Sequence, residues 1–204
     1  WMPEIAAGKD SGLLLFLPLA HVFARFLQVF QISGNGVLGH ASNIKNLLND
    51  LASFKPSYLL VVPRVLEKIY NSADTKASGP KRKIFRWAAK VAIAYSQALD
   101  TEEGPTASLK AQHALADKLV YQQIIRLVGG NADYIVSGGA PLAPWLAHFY
   151  RGVGIPVLEG YVLTETVGPV SVNTPRLSKI GTVGPALPPM SFKISDEGEI
   201  LLKG

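Results

Sequence analysis

Tyr134-Ile135-Val136-Ser137-Gly138-Gly139-Ala140-Pro141-Leu142 is the stretch on which the fold turns. Tyr134, Ile135 and Val136 read as a buried strand, the two glycines and Pro141 read as the turn that ends it, and Pro144 suits the first turn of a helix running to about Tyr150. A strand, a glycine turn and a helix make one unit of a parallel α/β sheet. A second unit follows at once: 155–158 is an apolar strand leading into Glu159-Gly160-Tyr161-Val162-Leu163-Thr164-Glu165-Thr166, which is expected as a loop at the strand's carboxyl end.

Upstream the rhythm is the same. Residues 1–12 carry no periodicity, 13–19 is an apolar strip stopped by Pro18 and reads as a strand, and in 20–32 Val22, Phe23, Phe26, Leu27 and Phe30 recur at helical spacing. A short strand is expected over 36–41, a helix capped by Ser42 or Asn43 to about Leu51, and a buried strand over 58–62. Three amphipathic segments then interrupt the alternation: 64–72, 81–99, and a single helix from a Thr106 cap to Gly129-Gly130 carrying Leu109, Leu115, Ala116, Leu119, Val120 and Ile124. We therefore read 64–130 as a helical insertion packed on the sheet. The β-rich segment, about 167–204, alternates apolar and polar residues among glycines and prolines. The expected fold class is α/β: a parallel sheet with flanking helices, a helical insertion and a mostly β carboxyl-terminal segment.

Composition narrows the function classes. The 204 residues are 48% hydrophobic, so disorder is excluded, and the chain is long enough to bury a core without disulfides or a structural metal. Cysteine is absent, which removes disulfide scaffolds, thiol catalysis and thiolate metal sites. Charged residues are 17%, below the roughly 25% usual for soluble domains, a sign of surface covered by a partner or by further chain. The net charge of +5 suits anionic ligands but is too scattered for a nucleic-acid binder. The longest apolar run, 13–20, contains Pro18 and falls far short of a membrane span, and no secretion signal is evident. A cytoplasmic protein is expected.

Several motifs fail on context. Gly34-Asn35-Gly36-Val37-Leu38-Gly39 matches a dinucleotide fingerprint, but a helix precedes it and a strand follows, the reverse of what phosphate binding at a helix start requires, so a helix cap and turn is the better reading. No nucleophile elbow and no G-x-x-x-x-G-K-[ST] loop occurs, and His21, His40, His113 and His148 lack metal-ligand spacing. Lys81, Arg82, Lys83, Arg86 and Lys90 form a basic cluster, read either as a solvated helix face or as a peripheral contact with an anionic membrane.

The pair 137–142 and 159–166 carries more. Adjacent glycines let a flat ligand lie against bare backbone, an aromatic ring can face a nucleobase, a hydroxyl can meet phosphate and a carboxylate can hold magnesium. Singly these are turn residues; as a pair at carboxyl strand ends they favour a nucleotide pocket.

In four stretches the chain resembles the adenylate-forming superfamily of acyl-CoA synthetases, luciferases and peptide-synthetase adenylation domains: Phe16-Leu17-Pro18-Leu19-Ala20-His21, 137–142, 160–166, and Gly198-Glu199-Ile200-Leu201-Leu202-Lys203-Gly204. Val62-Pro63-Arg64-Val65-Leu66-Glu67-Lys68-Ile69-Tyr70 and the helical insertion are similar to the long-chain fatty-acid branch. The resemblance implies that residues 1–204 are part of an AMP-binding domain of a ligase that joins a fatty acid to ATP and passes the acyl group to coenzyme A. It implies Glu165 as the Mg²⁺ ligand and Thr164 at the phosphates. It implies Ser137, Gly138, Gly139, Ala140, Pro141, Glu159, Gly160 and Tyr161 around the nucleotide, with Tyr161 stacked on adenine. His21, Val22, Gly138 and Gly160 would lie at the acyl pocket.

Where the family has glycine after the tyrosine, this chain has Val162, and a backbone with φ > 0 there would strain it. The family's phosphate loop would precede residue 1, and its catalytic lysine would follow Gly204, so the rest of the parent chain is expected to be missing and the segment inactive alone. Two further readings stand beside the ligase: an enzyme that loads a carrier protein, and a non-catalytic nucleotide- or acyl-binding module.

Overall fold

The computed structural model describes residues 11–34, 36–41 and 43–204; the expectations for residues 1–10 and for a Ser42 cap lie outside them. Strand β1 (Gly12–Leu15), helix α1 (Val22–Ser33), β2 (Val37–His40), α2 (Leu47–Phe54) and β3 (Tyr58–Val61) form the first α/β units. Helices α3 (Pro63–Lys76), α4 (Pro80–Ala98), α5 (Ala107–Ala116) and α6 (Gln122–Leu127) intervene before β4 (Tyr134–Ser137), α7 (Pro144–Val153), β5 (Val157–Leu163) and β6 (Gly168–Val172). The sheet order is β2-β1-β3-β4-β5-β6, parallel except for the β5–β6 pair, and β7 (Ser191–Ile194) with β8 (Ile200–Lys203) forms a separate antiparallel hairpin.

Strand alternation sorts the core into two layers. Leu13, Leu15, Tyr58, Leu60 and Val136 face α1 through Phe23, Ala24 and Leu27, whereas Leu14, Leu59, Val61 and Ile135 face the other helices. Proline opens α3, α4 and α7, Thr106 caps α5 by accepting from the Leu109 amide, and Gly154 (φ 103°) closes α7 in the left-handed region. Asn43 caps a short 3₁₀ turn, Ile44–Asn46, ahead of α2. The false fingerprint is packing: Gly34 caps α1, and at Gly36 a Cβ would run into the Gln31 side chain, which donates to the Ser11 carbonyl and accepts from the buried Tyr58 hydroxyl at 2.7 Å.

Three expectations need correction. The first strand ends at Leu15 rather than at residue 19: Phe16 and Leu17 already lie outside the ladder, and Pro18 begins a turn in which its carbonyl accepts from the His21 amide at 3.0 Å. The helix expected from Thr106 to Gly129-Gly130 runs without a gap to Leu127 but contains a π-helical turn, Asp117–Tyr121. The extra residue shifts the buried stripe. Val120 and Tyr121 are buried, the Tyr121 hydroxyl reaching the Ala88 carbonyl at 2.9 Å, while Leu115 and Leu119 are exposed. Lastly, Glu159-Gly160-Tyr161-Val162-Leu163 is strand and not loop. β5 pairs in parallel with β4 as far as Ser137↔Glu159, then antiparallel with β6 from Gly160↔Val172 to Leu163↔Gly168, so a neighbouring strand takes up the backbone hydrogen bonds of this segment.

Candidate nucleotide and acyl site

A cleft of about 680 Å³ opens at the carboxyl end of β4. One wall is the loop after β4, with Gly139, Ala140 and Pro141; the floor is β5, with Glu159, Gly160 and Tyr161; the far wall is residues 181–183. Gly139 has φ 81°, a conformation that favours glycine. The first wall is tied to the floor by the Glu159 carboxylate, which accepts from the Leu142 amide at 3.1 Å. Partial burial raises the pKa of Glu159, and that hydrogen bond opposes the rise.

Gly138 lies beneath the cleft. A Cβ there would stand 3.1 Å from the Phe23 ring and 3.3 Å from the Gly160 carbonyl, so the absence of a side chain lets α1, β4 and β5 meet. Gly160 is similarly held, with the Ser171 carbonyl 3.0 Å from where its Cβ would be. The structure therefore brings Gly138, Gly139, Ala140, Pro141, Glu159, Gly160 and Tyr161 together around one cleft. Ser137 is fully buried beside it, and its hydroxyl has no hydrogen-bond partner among the described residues; Ser171, on β6 opposite Tyr161, is in the same position.

His21 and Val22 do not line the cleft. His21 is the exposed N-cap of α1, its Nδ1 accepting from the Phe23 amide at 3.3 Å, and the Phe23 ring in turn lies against Gly138. Thr164 and Glu165 are exposed on the turn that follows β5, held by the Val167 amide on the Thr164 carbonyl and by the Thr166 hydroxyl between the Leu163 and Gly168 carbonyls. Among the described residues no cluster of three metal-ligating side chains occurs. Glu165 thus fits only a magnesium ion that takes most of its ligands from phosphate and water, which is the usual manner of Mg²⁺.

Val162 is not in the left-handed region; a bulge between Tyr161 and Val162 absorbs the irregularity. The strained valine is Val167 (φ 59°), 77% exposed at the end of the same turn.

Sequence reasoning missed the far wall. Asn173, 2% exposed, ties Glu159, Lys179 and Thr182 together, and Gly184 (φ 77°) rests against the backbone of Val172 and Asn173. The signal was a lone asparagine ending the β run Val170-Ser171-Val172 and the turn-like Gly181-Thr182-Val183-Gly184-Pro185, neither of which says what it packs against. The basic cluster is also smaller than its sequence suggests: Arg82 and Arg86 both pair with Asp74, at 2.7 and 2.8 Å.

A family model described as "AMP-binding enzyme" matches residues 1–204. The chain belongs to the AMP-binding enzyme family. It is 47% identical over 197 residues to the long-chain-fatty-acid–CoA ligase FadD15 of Mycobacterium bovis, an alignment covering 96% of this chain and 33% of that protein. It is 36% identical over 193 residues to long chain acyl-CoA synthetase 3 of Arabidopsis thaliana, covering 92% and 28%. The chain thus spans about a third of the length of the curated relatives it matches. Among solved structures it shares the fold of the N-terminal domain of FACL13 from Mycobacterium tuberculosis (TM-score 0.60, 19% identity, 97% of this chain and 39% of that one). It also shares the fold of E. coli MenE bound to an analogue of OSB-AMS (TM-score 0.61, 18% identity, 99% and 32%).

Proposed function

We propose that this AMP-binding chain is the nucleotide- and acyl-binding segment of an ATP-dependent long-chain fatty acid–CoA ligase. The observation that carries the reading is the convergence of residues 139–141 and 159–161 on one cleft, in a chain whose relatives are named as long-chain ligases. In the reaction the fatty-acid carboxylate attacks the α-phosphate of ATP and pyrophosphate leaves; the coenzyme A thiol then displaces AMP from the acyl-adenylate. An anionic acid must approach an anionic phosphate, so the task of the site is to position both and offset their charge.

Gly139 and Ala140 would present bare backbone to the nucleotide, Tyr161 a ring for adenine, Thr164 a hydroxyl for phosphate, and Gly138 and Gly160 would leave room for the acyl carboxyl. Mg²⁺, held by Glu165 and by phosphate, would supply the positive charge. Glu159 holds the first wall to the floor through Leu142.

Among the described residues no helix is long and apolar enough to cross a membrane. We assign the enzyme to the cytoplasm. Peripheral contact with anionic lipid would fall to Lys81, Lys83 and Lys90, since Arg82 and Arg86 are engaged with Asp74; charge reversal of those lysines is expected to abolish co-sedimentation with anionic liposomes, and unchanged binding would remove the membrane role.

Fatty-acid-dependent ATP–pyrophosphate exchange in the full-length enzyme tests the ligase reading, and no exchange would leave a binding module. AMP release on adding coenzyme A supports CoA as acceptor; release only on adding a carrier protein would replace it.

A further inference from the structure

We propose that Asn173 is a positioning residue that sets the width of the cleft by clamping its far wall to β5; the inference rests on the reading of that cleft as the ATP site. Asn173 leaves the end of β6 with its backbone amide donating to the Glu159 carbonyl at 3.0 Å. Its side-chain Nδ2 donates to the same carbonyl at 3.1 Å and to the Thr182 carbonyl at 2.6 Å, while Oδ1 accepts from the Lys179 amide at 3.0 Å. Two carbonyls on one side and an amide N–H on the other fix the orientation of the side-chain amide.

One buried side chain therefore holds both ends of the 179–182 turn, which is closed by the Thr182 amide and hydroxyl on the Lys179 carbonyl at 3.2 and 2.9 Å. The turn delivers Gly181, Thr182 and Val183 to the cleft opposite Tyr161. Glu159 is the shared anchor: its carbonyl carries Asn173 and the far wall, and its carboxylate carries Leu142 and the near wall. Both walls are thus registered on one residue of β5, and cleft width depends on Asn173 without Asn173 itself lining the cleft.

Asn173→Ala leaves the Thr182 carbonyl and Lys179 amide without their partner. Asn173→Asp keeps the volume and the acceptor for Lys179 but turns a carboxylate toward two carbonyls; protonation restores one donor. In the full-length ligase, either variant should raise KM for ATP about tenfold, the loss of one or two buried hydrogen bonds, with KM for fatty acid within about twofold. The Asn173→Asp defect should shrink as pH falls from about 8 to 5.5, whereas a general loss of structure would move both KM values together and would not recover in acid. Hydrogen exchange at the Lys179 amide should quicken in Asn173→Ala while exchange in β1 and β3 stays unchanged. Equal shifts of the two KM values, no shift in ATP KM, or unchanged exchange at Lys179 each overturn the proposal. A wild-type protein without fatty-acid-dependent pyrophosphate release overturns the ligase reading alone, and exchange at Lys179 then decides the clamp.

Discussion

The helical layer and the cleft edge hold their carboxylates in opposite ways. In the layer, hydrogen bonds from Arg86 and Arg82 hold Asp74 well below the usual carboxylate range, and Arg151 lowers Asp100 through a two-pronged contact at 2.6 and 2.9 Å. Arg151 also donates to Ser96, whose hydroxyl lies 3.0 Å from His148 Nδ1; burial first, and then Arg151, lowers the pKa of that histidine. At the edge, burial raises Glu159, and its carboxylate accepts from a backbone amide, that of Leu142. The layer uses charge to pin helices together, whereas the edge keeps a carboxylate as an acceptor for backbone. Helix packing follows the same division: α4 and α7 approach so closely that Gly152 faces the Ala92 carbonyl with no room for a Cβ, and Phe149 and Tyr150 fill the space beside them.

If that contrast holds, substitutions in the layer act on stability and those at the edge on activity. The largest loss of stability is expected from Phe149→Ala, which empties a fully buried ring position among Tyr70, Phe85 and Tyr150. Urea unfolding should report about 3–5 kcal/mol; a loss below 1 kcal/mol would mean that the layer is not the core. Gly152→Val should cost about 1–3 kcal/mol by forcing α7 off α4, seen as a lower midpoint in the same titration.

The pH predictions have opposite signs. Asp74 and Asp100 have folded pKa values below their unfolded ones, so their contribution is present above about pH 4 and is lost as pH falls through the folded values. The arginine partners of Asp74 are 43% and 58% exposed, which keeps that share small. Asp74→Asn should flatten the acid limb of Tm against pH. The folded pKa of Glu159 lies above its unfolded one, so its contribution is present below the unfolded pKa of about 4.3 and is lost as pH rises through the folded value. Glu159→Gln preserves an acceptor for Leu142 and should instead steepen the rise of Tm from acid toward neutral pH, because it removes a loss that sets in above about pH 4.3. A change of slope in the same direction in both variants would erase the contrast.

Glu165→Ala should change stability least, within about 0.5 kcal/mol, because the side chain is exposed on a turn. In the full-length enzyme it should nevertheless slow Mg²⁺-dependent adenylate formation by about a hundredfold or more. Near-normal pyrophosphate exchange in that variant would remove Glu165 from the site.

The alternation of strands and helices was legible because binary patterning is local: Leu13-Leu14-Leu15, the helical spacing from Val22 to Phe30, and the proline and Thr106 boundaries each speak for themselves. The two glycine-bearing motifs were legible as a pair by their chemistry. What followed from sequence alone was thus the α/β order and most of the near wall and floor of the cleft. Tertiary structure decided the rest. Whether 159–163 is loop or strand depended on β6 arriving antiparallel beside it, and the burial of Val120 and Tyr121 depended on one extra residue in a helical turn. Asn173 acquired its part only when the Glu159 and Thr182 carbonyls and the Lys179 amide converged on it from across the fold. Local pattern records which face of an element avoids water; the partners of a buried amide are set by chain segments that meet only after the core has closed.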